Sequence, residues 1–425
     1  MKIMRFLLIF LAAAFFSPLT AQAQLVQPAP SWGGMVTFTF DDANKNIYEN
    51  ALPFFKKYQV VGTISPIVRA IENQEDWIVT WPQLKAFAKA GWEIGSHTMT
   101  HPHLPALTDA ELDYELGQSK KILANHGIDA KTLVFPYTEA DARVLNYTTR
   151  YYENSRMGVG ELNGIDCDRY AILCKELSNT TQPEEVIGWI DEAVQSKLWL
   201  VLMIHEVVPG TPSAFQYNAA DLEKVVAYVA ANRIPTPTIN QALKLRQAAL
   251  GPNLVKNPKL ERGDDGWARR WSRNDVTQVT VEAAPVNRPF SYKQRLKIAG
   301  SSHQNMANPE MIKLPDKNSA YLFSFFAEVA TDGTSGGGAG FCVDEFDANG
   351  NWVGFQWLGG IYYHNCGMPA YIYQPSSPLV DQIMIDIFTD KGADITFWGD
   401  NFYFGSINDS FHGKAKLVNK VFNKK

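Results

Sequence analysis

This sequence has few cysteines, no excess of basic residues and no internal repeat. Its 425 residues include 39 basic and 44 acidic side chains, a formal net charge of −5. Such a chain has no positive field for collecting nucleic acid, so we exclude that class of partner. Its four cysteines include no CxxC motif, which argues against a zinc site made of cysteines.

Only the N-terminus has the apolar run of a targeting segment. A positive region with Lys2 and Arg5 precedes the apolar stretch Leu7 to Phe16, and Ala21-Gln22-Ala23 forms an A-x-A cleavage site. A membrane anchor would need roughly 18 or more apolar residues, and this run is shorter. We therefore expect a signal peptide over residues 1–23 and a secreted or periplasmic protein with no stable membrane insertion after cleavage.

Export changes what the cysteines predict. In an oxidising compartment an even number of cysteines favours disulfides. The local pairings are Cys167 with Cys174 and Cys342 with Cys366, although three pairings are formally possible.

The pattern of residues divides the chain into two domains. From about residue 33 to 245, short apolar strands alternate with amphipathic helices, which implies a parallel sheet, open or closed into a barrel. After Gly251-Pro252, many short strands separated by Gly, Asn and Asp turns predict an antiparallel sandwich. We assign residues 28–250 to the first domain, 252–410 to the second and 411–425 to a basic tail.

Polar side chains follow the predicted strands of the first domain where each strand ends. Asp41 and Asp42 come after one apolar strand, His97 and His101 after another, and His205 after the most hydrophobic one. Each of these features alone is more often structural than functional. In parallel βα architectures, however, active sites form at the carboxyl ends of strands, so their joint appearance predicts one.

The residue types predict metal-dependent hydrolysis. His97, His101 and Asp42 make a three-point site with open positions, suited to Zn²⁺ or a similar divalent ion. Asp41 remains as a base that takes a proton from metal-bound water, which ionises near neutrality. His205 can then protonate the leaving group.

Three segments resemble motifs of the NodB-homology polysaccharide deacetylases, carbohydrate esterase family four. They are Thr39-Phe-Asp-Asp42, His97-Thr-Met-Thr-His101 and Met203-Ile-His205, which match the family's first, second and fifth motifs. The resemblance covers about residues 33–245 and implies a distorted (β/α) barrel of the NodB type. By position, the resemblance also makes Asp41 the base and His205 the acid. The metal ligands that it implies are Asp42, His97 and His101.

The third motif of that family is only partly present. Its proline and aromatic residue correspond to Pro136 and Tyr137, and the resemblance implies that the backbone N–H of Tyr137 stabilises the oxyanion. The motif's arginine is missing. Arg156 either supplies a cation near Asp41 or forms a surface salt bridge. Pro136, Met203 and Arg156 are also candidates for substrate contact.

The family's fourth motif, an aspartate beside a tryptophan that orients the catalytic histidine, has no clear counterpart. Glu176 and Asp191 are the candidates for that role.

The second domain is similar to jelly-roll carbohydrate-binding modules. Its opening, Asn253 to Glu261 followed by Gly266-Trp267, and its closing segment Phe397 to Phe404 carry the resemblance. Flat aromatic side chains suit sugar rings, so an aromatic platform is expected, unless these residues form the core. The candidates are Trp271, Trp352, Trp357, Tyr362 and Tyr363, with Trp357 proposed as a substrate contact.

The sequence therefore predicts a deacetylase that uses metal-bound water on an acetylated polysaccharide, most simply one containing N-acetylglucosamine. Zinc is the expected cofactor, with cobalt or another divalent ion as alternatives. The alternatives in function are an O-acetyl esterase acting on xylan or a related glycan, and an inactive glycan-binding protein. The missing arginine permits the last, but retention of the ligands, the base and the acid argues against it.

Overall fold

A computed structural model describes residues 32–285, 293–331 and 337–408 of the chain. The predicted signal peptide, residues 1–23, and the predicted tail, residues 411–425, lie outside the described residues.

Seven parallel strands form the centre of the first domain. They are β1 (Met35–Phe40), β2 (Gly62–Ile64), β3 (Glu93–Ile94), β4 (Thr132–Val134), β5 (Asn154–Val159), β6 (Ile172–Glu176) and β7 (Trp199–Ile204). Their spatial order is β3-β2-β1-β7-β6-β5-β4. The two edge strands meet through Ser96, just past β3, whose N–H donates to Thr132 O at 2.9 Å. The sheet is thus a nearly closed barrel, as predicted.

Helices follow most of the strands and surround this sheet. They are α1 (Lys45–Asn50), α2 (Leu52–Tyr58), α3 (Val68–Glu72), α4 (Trp81–Lys89), α5 (Asp109–Asn125), α6 (Ala142–Tyr151), α7 (Pro183–Ser196), α8 (Ala219–Ala231) and α9 (Ile239–Ala248). A small parallel pair, β8 (Glu206–Val208) and β9 (Gln216–Asn218), follows β7. A capping box formed by Thr108 and Glu111 begins α5. In the described part of the chain, no helix combines the length and apolarity that crossing a membrane requires.

Strands β1 and β7 determine where the candidate site lies. They pair along their whole length, from Met35 opposite Trp199 to Phe40 opposite Ile204, and all their residues are buried. Strand β7 is a continuous apolar run, as expected for a strand covered on two faces. In β1 the buried hydroxyls of Thr37 and Thr39 donate to backbone carbonyls. Because they end in register, Asp41 and His205 leave the barrel side by side at its carboxyl edge.

The second domain is a sandwich of two antiparallel sheets. Its strands are β10 (Trp271–Arg273), β11 (Val279–Ala283), β12 (Gln294–Ala299), β13 (Asn305–Pro309), β14 (Ile312–Lys313), β15 (Tyr321–Thr331), β16 (Ala339–Phe346), β17 (Trp352–Ile361), β18 (Asn365–Gly367), β19 (Ala370–Tyr373), β20 (Gln382–Thr389) and β21 (Ile395–Ser406). The front sheet has the order β10-β13-β20-β16-β17 with β14 beside β20, and the back sheet β11-β12-β21-β15-β18 with β19 beside β15. Phe341 and Ile387 of the front sheet share one apolar cluster with Phe325 and Phe397 of the back sheet.

The two domains share buried apolar residues. One cluster joins Met35 and Trp199 of the barrel to Leu322 of the sandwich. Beside it, the Asp168 carboxylate of the first domain accepts the backbone N–H of Met368 at 3.0 and 3.1 Å. The described residues of both domains belong to one compact unit, so the domains are packed against each other rather than joined only by a linker.

The expected disulfides are wrong. All four cysteines lie among the described residues, and no disulfide joins them. Cys342 belongs to β16 of the front sheet, whereas Cys366 belongs to β18 of the back sheet and packs into the core of the barrel. Cys174 instead faces Arg156, whose Nη1 lies 2.9 Å from its sulfur, while Cys167 lies in the preceding loop. Nearness along the chain did not predict nearness of the sulfur atoms.

Shared burial predicts that the two domains unfold together. Leu322→Ala should lower the free energy of unfolding by about 2–4 kcal/mol, because a cavity opens at the junction. Urea denaturation of the full chain, followed by circular dichroism and tryptophan fluorescence, should give one coincident transition. The exposed Leu379→Ala control should stay within about 0.5 kcal/mol of the wild type. Two separate transitions seen only in Leu322→Ala would agree with a junction that this residue holds together. Two separate transitions in the wild type would contradict the shared core.

Candidate active site

The predicted polar residues converge at the carboxyl edge of the barrel. Asp42 Oδ1 lies 3.4 Å from His97 Nε2 and 3.7 Å from His101 Nε2. One ligand atom from each of these three residues lies within 4.8 Å of the others. Asp42 follows β1, and the two histidines belong to the loop that follows β3. The structure therefore brings together the three residues predicted to bind a metal.

These three residues fit a divalent cation. His97 Nδ1 lies 2.7 Å from Val134 O, and with its proton assigned there, Nε2 is left with a lone pair for a metal. Asp42 Oδ1 is buried and has no hydrogen-bond partner among the described residues, although buried polar atoms are normally satisfied. Two imidazole nitrogens and a carboxylate oxygen are a donor set that suits Zn²⁺ and similar ions.

The electrostatics of the three residues also suit a cation. Burial lowers the pKa of His97 to about 3 and lowers that of His101, so both rings are neutral, the form that binds metal. Burial and the charge of Asp41 raise the pKa of Asp42 to about 6. The charge of a bound ion would stabilise the ionised form of this carboxyl group.

Left-handed backbone conformations occur throughout these loops. Such conformations cost residues other than glycine of order 1–3 kcal/mol each and cluster at functional sites. The residues are Asp42 (φ 61°), Ala43 (φ 65°), Thr98 (φ 68°), His101 (φ 62°) and Tyr137 (φ 54°). The side chains of the ligands are thus presented by a strained backbone that the surrounding structure must hold.

Glu115 of α5 helps to hold the histidine loop. Its buried carboxylate accepts the N–H groups of Met99 and Thr100, both at 2.9 Å, and the Thr100 hydroxyl at 2.7 Å. Glu115 is not among the residues predicted for the site from the sequence. A signal was present, because Glu115 is a charged residue on the face of α5 that otherwise buries Leu112 and Leu116.

Arg156 forms a buried ion pair with Asp41, so the surface salt bridge considered for it is wrong. Arg156 is 0% exposed, and its Nη2 donates to Asp41 Oδ2. In the pairing of β4 with β5, Arg156 lies opposite Val134, which occupies the position of the third motif's missing arginine. The cation absent from β4 is therefore present on the neighbouring strand at the same level.

Asp41 is arranged as an ionised base. Burial alone would raise its pKa, but the charge of the Arg156 guanidinium and its hydrogen bond outweigh burial and lower it. One oxygen, Oδ2, is held by Arg156, whereas Oδ1 is buried with no hydrogen-bond partner in the described part of the chain. That oxygen remains available to accept a proton.

Glu176, one of the two candidates for orienting His205, lies beside it. Glu176 Oε1 is 3.8 Å from His205 Nδ1. Asp191 lies on α7 and accepts the Tyr228 hydroxyl at 2.6 Å, so that interpretation is wrong. The exposed ring of Phe215, which the sequence analysis did not identify, lies 5.7 Å from the His205 ring between centroids.

The other residues predicted for the site have varied surroundings. Tyr137 is half-exposed, and its ring stacks on His103 at 3.9 Å and contacts the His101 ring at 4.6 Å. Pro136 and Met203 are both buried, and Met203 packs in the cluster that the domains share. Substrate contact through exposed side-chain surface is therefore not available to either residue.

The aromatic candidates of the second domain divide into two groups. Trp271 is buried in the sandwich core, so its place in a platform is wrong. Trp352, Trp357, Tyr362 and Tyr363 are exposed. Trp357 lies on β17 of the sandwich and is not part of the site at the barrel edge.

Metal binding should distinguish His101 from its neighbour His103. His101→Ala removes one of the three ligand atoms and should weaken Co²⁺ or Zn²⁺ binding at least about 100-fold. His103→Ala is the matched control, because its ring pairs with Glu139 and Tyr137 instead, and should change affinity little. Titration followed by Co²⁺ absorption and by calorimetry measures both. Equal losses in the two variants would contradict the ligand assignment.

Comparison with known proteins agrees with the motifs. Residues 30–152 match the family described as polysaccharide deacetylase. A putative polysaccharide deacetylase YxkH of Bacillus subtilis (strain 168) is 34% identical over 109 residues, which are 26% of this chain and 38% of that protein. The poly-beta-1,6-N-acetyl-D-glucosamine N-deacetylase of Staphylococcus aureus (strain MSSA476) is 30% identical over 116 residues, 24% of this chain and 40% of that protein. The chain thus spans about two fifths of the length of these curated relatives.

Two solved structures are similar to this chain over most of their own length. A family 4 carbohydrate esterase from Streptomyces lividans, in complex with acetate, is 20% identical and covers 48% of this chain and 93% of its own, with a TM-score of 0.35. Peptidoglycan deacetylase PdaC from Bacillus subtilis is 17% identical and covers 52% and 94%, with a TM-score of 0.36. Residues 30–152, which carry the candidate base and metal ligands, are thus similar to the polysaccharide deacetylase family.

Proposed function

We propose that this protein is a metal-dependent N-deacetylase of a polysaccharide that contains N-acetylglucosamine. The observation that carries the proposal is the buried carboxylate of Asp41, with one oxygen held by Arg156 and the other without a hydrogen-bond partner among the described residues, beside the cluster of Asp42, His97 and His101. The similarity to a poly-beta-1,6-N-acetyl-D-glucosamine N-deacetylase favours an N-acetylglucosamine polymer as the substrate.

We propose zinc as the metal, with cobalt or another divalent ion as the alternative. When bound by Asp42, His97 and His101, such an ion supplies Lewis-acid chemistry and favours ionisation of water at this site. All other parts of the reaction fall to residues of the chain.

Asp41 is suited to take a proton from the attacking water. As the water oxygen bonds to the acetyl carbon, its proton passes to Asp41 Oδ1, the oxygen that no other group occupies. Arg156 holds the other oxygen and keeps the carboxylate ionised and oriented. We propose that the backbone N–H of Tyr137 donates to the oxyanion that develops on the carbonyl.

His205 is suited to complete the reaction on the opposite side. It protonates the amide nitrogen as the carbon–nitrogen bond breaks, which releases acetate and a free amine. The Glu176 carboxylate, 3.8 Å from Nδ1, stabilises the protonated ring and limits its orientation. An O-acetyl ester needs the same groups, with an alcohol as the leaving group, so xylan-type esters are a second substrate class for the experiment below.

A polar groove lies next to the end of β6, where Glu176 lies, and to the loop that carries Phe215. Its volume is about 260 Å³, and Ser178, Gln182 and Asn218 line it. Hydroxyl and amide side chains suit sugar hydroxyls, and we propose that units of the polymer beside the reacting one bind there.

We also propose that the protein acts outside the cytoplasm and that its second domain binds glycan. The first rests on the charged, apolar and A-x-A segments of residues 1–23. The second is supported by the exposed aromatic side chains of β17.

Acetate release tests the proposed activity. The substrates are N-acetylglucosamine oligomers with β-1,6 and β-1,4 linkages, and acetylated xylan. We expect release from the N-acetylglucosamine oligomers, abolished by EDTA and restored by Zn²⁺ or Co²⁺. Asp41→Asn should lower kcat by about 10²–10⁴-fold, because it removes the base. Asp191→Asn, on a distant helix, is the control and should be fully active.

Circular dichroism should confirm that both variants are folded. Preferential release from acetylated xylan would move the assignment to an O-acetyl esterase. No release from any substrate by the folded, metal-loaded protein would support the glycan-binding alternative.

A further inference from the structure

The outward side of the front sheet carries aromatic rings along its edge strand. Trp352, Phe355 and Trp357 of β17 are 59%, 62% and 46% exposed. Phe355 lies opposite Asp344 of β16 and Trp357 opposite Cys342, while a bulge in the pairing separates Trp352, opposite Phe346, from them. We call this surface the aromatic face, which comprises Trp352, Phe355, Trp357, Tyr362 and Asp344.

Two glycines let the rings of this face lie directly over the strands. A Cβ atom at Gly340 would lie 2.5 Å from Phe388 and 2.8 Å from Trp357, and one at Gly360 would lie 2.7 Å from the Tyr362 ring. Any other residue at these positions would push the rings away. The resulting surface of exposed rings suits the flat, apolar face of a sugar.

A carboxylate lies among these rings. Asp344 Oδ1 accepts the Trp352 indole N–H at 3.0 Å, which keeps that carboxylate beside an exposed ring. Asp386, one strand further in, is buried, accepts the side-chain amide of Asn308 and lies 3.3 Å from Cys342 Sγ, and burial raises its pKa to about 6. The acidic group that the face presents beside its rings is therefore the partly exposed carboxylate of Asp344.

No cation on the neighbouring strands offsets this negative charge. The sequences of β13, β16, β17 and β20 contain no lysine or arginine. Lys313 of β14 lies beside Gln382 at one corner, 4.0 Å from the Asp381 carboxylate, and Arg270 pairs with Glu310 at 2.7 Å. Exposed rings beside a carboxylate form a surface complementary to a cationic ligand with apolar faces.

We propose that the aromatic face binds the deacetylated product, a glucosamine-containing glycan with protonated amines, in preference to its N-acetylated form. The proposal rests on the proposed function, which supplies the amino sugar. The rings stack on the sugars and attract the ammonium groups, and Asp344 accepts charge-assisted hydrogen bonds from them. Acetylation removes that charge. Since both domains form one compact unit, a bound product strand keeps the remaining acetylated units close to the enzyme.

Binding without turnover tests this proposal. Two samples of the full chain are used: the wild type freed of metal with EDTA, and the Asp41→Asn variant. Each is titrated with β-1,4-linked hexamers of glucosamine and of N-acetylglucosamine. At mildly acidic pH, where the glucosamine amines are protonated, we expect at least about tenfold tighter binding of the glucosamine hexamer, weakened by added salt.

Matched variants assign that binding to the aromatic face. Trp357→Ala and Asp344→Asn should each weaken glucosamine-hexamer binding about tenfold. Asp344→Asn retains an oxygen for the Trp352 indole, so the fold should be kept. Trp77→Ala, an exposed tryptophan of the barrel, and Glu310→Gln, an acidic residue outside the face, are the controls and should bind as the wild type does.

Three results would overturn the proposal: equal or tighter binding of the acetylated hexamer, unchanged binding in both face variants, or equal competition by hexalysine, which would show a surface that recognises charge alone. Acetate release is measured separately on the metal-loaded wild type. Its absence, with binding that the face variants weaken, would refute the proposed activity and leave this binding site standing.

Discussion

The buried ion pair between Asp41 and Arg156 is the interaction on which the rest of the site depends. It joins the end of β1 to β5, strands on different sides of the barrel, and it is inaccessible to solvent. Burying two charges costs several kcal/mol per ion unless they are paired well, so a barrel that opened here would leave each charge without its partner. The ionised form of Asp41 therefore depends on the closed barrel, which holds Arg156 beside it.

The other residues of the site fit around that charged pair. Neutral His97 and His101 and a carboxyl group with a raised pKa at Asp42 form a cluster that lacks positive charge, next to a base whose own charge is already balanced. A divalent cation would complete the cluster without competing for Arg156. Glu115 contributes by satisfying the backbone of the strained histidine loop. Metal binding is thus assigned to Asp42 and proton transfer to the adjacent carboxylate of Asp41.

Much of the barrel and its ligands could be predicted because the signals are local. The apolar runs of β1 and β7 and the polar residues directly after them lie within a few positions of each other in sequence. Arg156 could not be placed in this way. Its role depends on the pairing that sets it opposite Val134, and strand register is not visible in a single sequence.

The same limit explains the errors in the second domain. Cys342 and Cys366 lie near each other in sequence but on different sheets, so spacing alone suggested a disulfide that does not form. Trp271 and Trp357 look alike as residues, yet one fills the core and the other is exposed on the edge strand. The inward or outward direction of a strand residue depends on the pairing and on the bulge between Phe341 and Cys342.

The measurement that tests the central claim most directly compares Arg156→Met and Arg156→Lys for metal affinity and for kcat of acetate release, with the fold checked by circular dichroism. If Arg156 keeps Asp41 ionised and oriented, both folded variants should bind metal within about tenfold of the wild type. Arg156→Met should then lose about 10²-fold or more in kcat, and Arg156→Lys should recover part of that loss. Wild-type kcat in folded Arg156→Met would contradict the account, because Asp41 would then act as the base without its buried partner.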